Sequence, residues 1–311
     1  MRIEHSQEVV AALLLDALFG EPPEKLHPTV WMGSAISASQ RGALKSKNPK
    51  VRRLAGIVLA FSIPTLVYLS TRGILDAAPR FPRRIFSAAL ISTALSMRGL
   101  AGAARTVERE LREGNLERAR ASVAEMVGRD TADLPASEVA RAAVESVAEN
   151  TSDGVVAPML YGLLFGAPGA LAYRAVNTLD SMVGYRREPY EELGWASARL
   201  DDLANLAPAR ITALMAAVVS GRPLRTLETT RRYGPLTASP NAGRVEAAFA
   251  GALGLRLGGS NAYGGLVRKA PTLGDGQPPG PEDIGRSVRL MRRCCVVLAA
   301  IAVLAGGNRR G

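Results

Sequence analysis

Cysteine is almost absent from this chain. Two occur in 311 residues, and they are neighbours, Cys294 and Cys295, inside an apolar run. Adjacent cysteines cannot staple distant segments, so a disulfide framework is excluded, and the pair is expected in the core or against lipid. Histidine is as scarce, with only His5 and His27, and aromatics make up 5%. No recognition helix, RNP-like stretch or zinc-finger spacing is present, so nucleic acid is not an expected partner. There is no Walker A loop, no GxGxxG fingerprint and no GxSxG elbow. Ser-His-Asp and Cys-His catalysis therefore have no support. Alternating strand patterns are nearly missing as well, which points to an all-α chain. The first residues, with one Arg against two Glu and Asp16 inside the apolar run that follows, are not expected to form a cleaved signal peptide.

Apolar residues and positive charge are what the chain has in quantity. Apolar residues make up 47%, the net charge is +11 and the mean hydropathy is +0.07. Apolar runs recur at Val9–Phe19, Leu54–Leu69, Ile85–Leu100, Val155–Val176, Leu206–Ser220 and Cys294–Ala305. Only the fourth clearly reaches the roughly 20 residues that a span needs. These features predict a polytopic helical membrane protein, one domain over 1–311, with long polar loops outside the bilayer. Amphipathic helices over 105–150 are expected outside it too. The Gly- and Pro-rich stretch Gly264–Gly285 reads as a long loop, and Pro64 as a kink in the second run. The basic loop of Arg41, Lys45, Lys47, Lys50, Arg52 and Arg53 is expected in the cytoplasm. The positive charge suits a membrane surface or phosphate-bearing substrates.

The polar residues beside the fourth run carry the functional signal, because carboxylates next to lipid are costly to keep. On a helix starting near Asp133–Ser137, Glu138, Glu145 and Glu149 fall within about 40° of one another. Glu145 and Glu149 are an i,i+4 like-charge pair that needs a compensating cation, Arg141 or Mg²⁺. A solvated helix face would explain them equally. Asn150, Thr151, Ser152, Asp153 and Gly154 end that helix. Further on, Tyr173, Arg174, Asn177, Asp180 and Ser181 share one stripe, and a structural Arg174–Asp180 pair is the plain alternative. A third group is Arg199, Asp201, Asp202, Asn205 and Arg210, whose vicinal acids suit Mg²⁺ bound to phosphate. Asp16, Glu21 and His27 lie near the start, where His27 is a base or a hydrogen-bond anchor. Asn241, Glu246, Asn261 and Tyr263 lie late, around glycines, and Gly258–Gly259 could bring backbone N–H groups to a phosphate. The run Val155–Val176 holds Gly162, Gly166, Pro168 and Gly169. A re-entrant hairpin is favoured there over a single span, whose ends would stand roughly 30 Å apart.

In order along nearly the whole chain, LDALFGEPP…HP, ESVAENTSDGVVAP, YRAVNTLDSMVGYR, RLDDLANLAPAR and SPNAGRVEAAFAGALGLRLGG resemble the adenosylcobinamide-phosphate synthase family, the CobD/CbiB membrane proteins of cobalamin biosynthesis. Departures are Glu21 where Asp is common, Arg244–Val245 for an aromatic–Pro pair, and Lys269-Ala270-Pro271 for Lys-Pro. The resemblance implies a multi-pass enzyme of the cytoplasmic membrane. It would ligate the corrinoid adenosylcobyric acid to (R)-1-amino-2-propanol or its O-phosphate, with ATP and Mg²⁺. Other membrane enzymes of that pathway are the expected protein partners. Glu145, Glu149 and Asp153 are the expected catalytic acids, holding Mg²⁺ or taking the ammonium proton. Asp180, Asp201 and Asp202 are the further metal candidates. Arg174, Arg186 and Arg210 would hold phosphate. Asn150, Asn177, Tyr185, Asn241, Glu246, Asn261 and His27 complete the substrate contacts. Competing classes are a Mg²⁺-dependent prenyl- or phospho-alcohol transferase and a corrinoid transporter or binding protein.

Overall fold

In the computed structural model, residues 5–185 and 188–307 are described, so Arg186 lies outside them. Helices follow one another in chain order: α1 (Ser6–Phe19), α2 (Pro28–Ala43), α3 (Pro49–Ala77), α4 (Arg80–Ser92), α5 (Met97–Arg112), α6 (Leu116–Ala124) and α7 (Ala136–Thr151). A single π-helical turn, Ser152–Val156, joins α7 to α8 (Ala157–Val183). Then come α9 (Glu191–Ala204), α10 (Leu206–Val219), α11 (Pro223–Tyr233), α12 (Ala242–Leu253) and α13 (Pro281–Gly307). Between the last two helices lie β1 (Leu257–Gly258), β2 (Asn261–Tyr263), β3 (Leu266–Arg268) and β4 (Thr272–Leu273). The expected loop Gly264–Gly285 therefore carries two short strands and the start of α13. In β1–β4 pairing Leu257 faces Leu273, and in β2–β3 pairing Asn261 faces Arg268.

Local chemistry sets several boundaries. Asn48 accepts the Lys50 N–H and Pro49 occupies the first turn of α3; His27 and Pro28 repeat the device at α2. Gly254, with φ 73°, ends α12. Pro64 stays inside α3, which runs on through it. Three helical stretches are long and apolar enough to cross a membrane: Pro49–Ala77, Pro82–Arg112 and Ala136–Val183. A fourth counts if α9 and α10 form one broken span. Only 17% of the α3 window is buried, and Leu54, Val58, Phe61, Leu66, Leu69 and Ile74 point outward. So continuous an exposed apolar face is tenable in lipid and a liability in water. The chain is thus a helical protein built for several membrane crossings.

The chain packs as two compact units, Met1–Ser96 with Ala157–Asn205 and Ala299–Gly311, and Met97–Val156 with Leu206–Leu298. In the first, α3 packs along α8 and α9. A Cβ on Gly56 would stand 2.0 Å from the Leu193 carbonyl oxygen, so glycine is what lets α3 and α9 touch. Ile36, Leu179 and Val183 form a core beside them. The chain reverses within α8 at Gly166 (φ 68°). Tyr161 and Tyr173 consequently stack with centroids 5.0 Å apart. A Cβ on Gly162 would lie 3.8 Å from that of Ala170. A straight helix would separate the tyrosines by about 18 Å, so the glycine-broken run folds back on itself, and Pro168 starts the returning half. In the second unit, α12 packs on α11, α10 and α7. Residues Val139–Ala148 of α7 are buried without interruption, so Glu145 is enclosed, whereas Glu138 is half-buried and Glu149, at the end of the helix, is exposed.

Candidate active site

The α7 stripe becomes an ion network because α7 is enclosed. Arg141 sits three residues after Glu138 and four before Glu145, and i,i+3 and i,i+4 spacing brings all three together. Its Nε donates to Glu138 Oε2 at 2.8 Å and its Nη1 to Glu145 Oε1 at 2.9 Å. From the loop before α7, Arg129 Nη2 donates to Glu145 Oε2 at 2.8 Å. Asn261 of β2 accepts from both guanidiniums through Oδ1. The Gly258 N–H donates to Glu145 Oε1 at 2.7 Å. Both Glu145 oxygens are thereby satisfied within the protein, which makes Glu145 the anchor of two arginines and leaves it poorly placed as a metal ligand. The expectation that Gly258–Gly259 presents N–H groups to phosphate is corrected here. The Gly258 N–H is held by Glu145, and the Gly259 N–H donates to the Pro271 carbonyl at 3.0 Å.

Beside this network lies a cavity of about 300 Å³. Glu145, Glu149, Arg129, Glu246, Asn261 and Tyr263 contribute to its wall. Burial pushes the Glu246 carboxyl well above its ordinary value, the charges of Glu145 and Glu149 push the same way, and Arg129 and Arg141 oppose them. The strands after α12 close one side, and Asp130 holds the β2–β3 turn by accepting the Gly264 and Gly265 N–H groups at 3.0 and 2.8 Å. Asn150 Nδ2 turns back to the Ser146 carbonyl at 2.9 Å. Asp153 lies in the π turn. Asn241 is the residue before α12, 3.5 Å from Arg210 Nη1, and Arg210 also donates to the Leu206 carbonyl at 2.6 Å.

The first unit holds a separate polar cluster. Asn177 and Asn205 donate to Asp201 Oδ1 and Oδ2 at 3.4 and 3.0 Å, and Tyr173 OH donates to Asn205 Oδ1 at 2.8 Å. Asp202 lies 3.8 Å from Arg199. Arg174 Nη1 reaches Asn177 at 3.5 Å. Asp180 begins the last turn of α8, where its carbonyl accepts the Gly184 N–H at 2.7 Å. Tyr185 is half exposed and packs edge-on to Tyr190. His27 Nδ1 accepts the Thr29 N–H, so its Nε2 carries the hydrogen that faces Glu21 at 3.5 Å.

That His27 contact, helped by the positive charge of Arg174, holds the Glu21 carboxyl below its ordinary 4.5 despite burial. A lowered folded-state value stabilises the fold above the unfolded value and loses that contribution as pH falls through the folded one. Thermal unfolding between pH 6 and 3 should therefore show an acid-side loss of stability that Glu21→Gln makes shallower. Identical wild-type and variant slopes would remove Glu21 from that response.

Among the described residues, no three Asp, Glu, His or Cys side chains converge as a metal site. Cys294 and Cys295 are buried, and burial pushes the Cys294 thiol up to about 12, which keeps it unreactive. Sequence reasoning missed Arg129. It lies in a short polar loop with no helical period to mark it, and its partners are 16 and 132 residues away.

A helical membrane protein with a buried double-arginine clamp beside a small acidic cavity is the class that these features define. The CobD/Cbib protein family model matches residues 9–291, and the chain belongs to that family. It is 45% identical over 301 residues to a cobalamin biosynthesis protein CobD of Geobacter metallireducens, covering 94% of each chain. To a CobD of Synechocystis it is 44% identical over 282 residues, covering 86% of this chain and 81% of the relative. To a cobalamin biosynthesis protein CbiB of Salmonella typhi it is 40% identical over 306 residues, covering 94% and 95%. No solved structure matches the chain. Membership supports a role in cobalamin biosynthesis, and with it a corrinoid substrate.

Proposed function

We propose that the chain is an acid–amine ligase of the cytoplasmic membrane. It joins adenosylcobyric acid to (R)-1-amino-2-propanol or its O-phosphate through an amide bond, at the expense of ATP. The observation that carries this reading is the cavity bounded by the Arg129–Glu145–Arg141 clamp and by Glu149 and Glu246. It offers fixed hydrogen bonds and anionic groups for an ammonium. Free carboxylate does not condense with an amine unaided. The propionate oxygen would attack the γ-phosphorus of ATP, releasing ADP, and the amine nitrogen would then displace phosphate from the acyl carbon. Positioning and charge neutralisation supply most of the catalysis for the first step.

Mg²⁺ commonly binds through one or two carboxylates plus substrate phosphates. The vicinal acids Asp201 and Asp202 fit that donor set, with Asp180 as a further candidate. Bound there, Mg²⁺ would neutralise the phosphate charge of ATP. Arg174 and Arg210 would contact phosphate, since guanidinium favours bidentate oxygen acceptors. Asn177 would orient Asp201, and Glu149 would hold the ammonium.

The test incubates purified protein with adenosylcobyric acid, ATP, Mg²⁺ and either the amine or its phosphate, and reads products by mass spectrometry. A corrinoid heavier by the condensed amine is expected. Folded protein that turns over no substrate would refute the ligase reading, and unaltered corrinoid accumulating in vesicles would favour a transporter. Glu149→Gln should lower the rate about 100-fold, in the range of a lost acid–base or charge-pairing group. A rate near wild type would remove Glu149 from the mechanism.

A further inference from the structure

We infer that the cavity between α7, α12 and the β1–β4 ribbon seats the amine substrate, and that Glu246 accepts the proton its nitrogen gives up. This rests on the ligase reading and assigns the second half-reaction to named atoms. Size comes first. At about 300 Å³ the cavity admits a three-carbon amine or its phosphate and excludes the corrin ring.

Charge comes second. The wall carries three carboxylates, Glu145, Glu149 and Glu246, and one guanidinium, Arg129. Arg141 is shared between Glu145 and Glu138. With Glu246 protonated, Glu138, Glu145 and Glu149 still outnumber Arg129 and Arg141 by one charge, and a primary ammonium corrects the difference. A separate observation points to the other end of the ligand. Arg129 is only 8% exposed, and its Nε has no hydrogen-bond partner among the described residues. A buried donor without an acceptor is costly, and a hydroxyl or phosphate oxygen on the amine supplies one. The site thus suits a small molecule with an ammonium at one end and an oxygen anion at the other.

The proton acceptor must be an acid whose oxygens are not already saturated. Glu145 accepts from Arg129, Arg141 and Gly258, which removes it. Glu246 reaches the cavity from a different helix. Its ionised form is penalised by burial and by Glu145 and Glu149, with Arg129 and Arg141 as the opposing charges, so once ionised it is a strong base. Burial favours the protonated form of Glu246 at rest, and the charges of Glu145 and Glu149 push the same way. The arriving ammonium makes the ionised form favourable and that proton leaves to solvent. The carboxylate then takes one N–H proton, giving R–NH₂ and Glu246–COOH. The nitrogen lone pair forms the C–N bond, the acyl C–O bond breaks, and the departing phosphate carries away the second proton. Glu246 returns to its resting form.

Calorimetry on the full-length protein in detergent tests this, using (R)-1-amino-2-propanol O-phosphate at pH 7 in two buffers of different ionisation enthalpy. Wild-type protein should release a fraction of a proton per amine bound. Glu246→Gln should release none, bind within about tenfold of wild type, and lose about 100-fold in kcat with little change in KM. Retention of the wild-type melting temperature separates this from misfolding. A Glu246→Gln kcat within threefold of wild type, or unchanged proton release, overturns the base assignment. Absence of amine binding to folded wild type overturns the subsite. Amine binding with Glu246-dependent proton release but no amide product upholds the subsite and refutes the ligase reading, so the two failures are distinguishable.

Discussion

Arg141→Ala should destabilise the second unit by about 3–5 kcal/mol, the range for removing one partner of a buried charge network. Arg141 is buried and donates to Glu138, Glu145, Asn261 and the Ser260 carbonyl. Its loss leaves Glu145 with Arg129 and Gly258 alone, in a helix whose surroundings are apolar. It also leaves Asn261, in the strand beside the cavity, held by the Arg129 guanidinium alone. Thermal unfolding in detergent should show the drop, and ligation should fall with it. The second half of the test is Arg141→Met with Glu145→Leu. Apolar replacement of both partners removes the stranded carboxylate, so the double variant should be more stable than the sum of the single changes by at least about 1 kcal/mol. Recovery stays partial because Arg129 then lacks its own anion. An Arg141→Ala loss below about 1 kcal/mol would show that the clamp does not hold the unit together.

Gly258→Ala should be nearly as severe, for a different reason. The residue has φ 72°, and an added Cβ would stand 2.2 Å from the Pro271 carbonyl oxygen and 3.1 Å from the Leu273 backbone nitrogen. Left-handed backbone strain alone is worth about 1–3 kcal/mol. The contact with Pro271 and Leu273 must in addition push β1 from β4, and that movement withdraws the N–H that Glu145 accepts at 2.7 Å. A combined loss of about 3 kcal/mol is expected. Gly259→Ala is the matched control. Its φ is 93°, yet nothing lies within 4 Å of its Cβ direction, so it should show the backbone strain without the displacement. Equal losses in the two variants would mean that close approach to Pro271 is not what requires glycine.

The acids of α7 show how far the pattern of residues reaches. Glu138, Glu145 and Glu149 were legible as one face because helical geometry depends only on spacing. Arg141 was legible as their counter-ion for the same reason. Whether that face met water was not legible, since an acidic stripe looks alike on a solvated helix and on one enclosed by α12 and the strands. Gly166 and Pro168 marked the turn within α8, because a left-handed glycine and a proline in the following first turn act on the local backbone. The glycines at 258 and 259 were visible too, but their N–H partners were not, and a phosphate-binding reading gave way to Glu145 and Pro271.

By itself, the amino-acid sequence determined the helical class, the recurring apolar runs, the glycine- and proline-broken character of the run at 155–176 and the family of the chain. Each follows from composition or from near neighbours along the backbone. Tertiary structure alone decided that Arg129 and Asn261, 132 residues apart, close on Glu145, and that Glu246 faces the same cavity. Such contacts depend on which burial best satisfies every charge at once, a property of the packed chain that no local window carries.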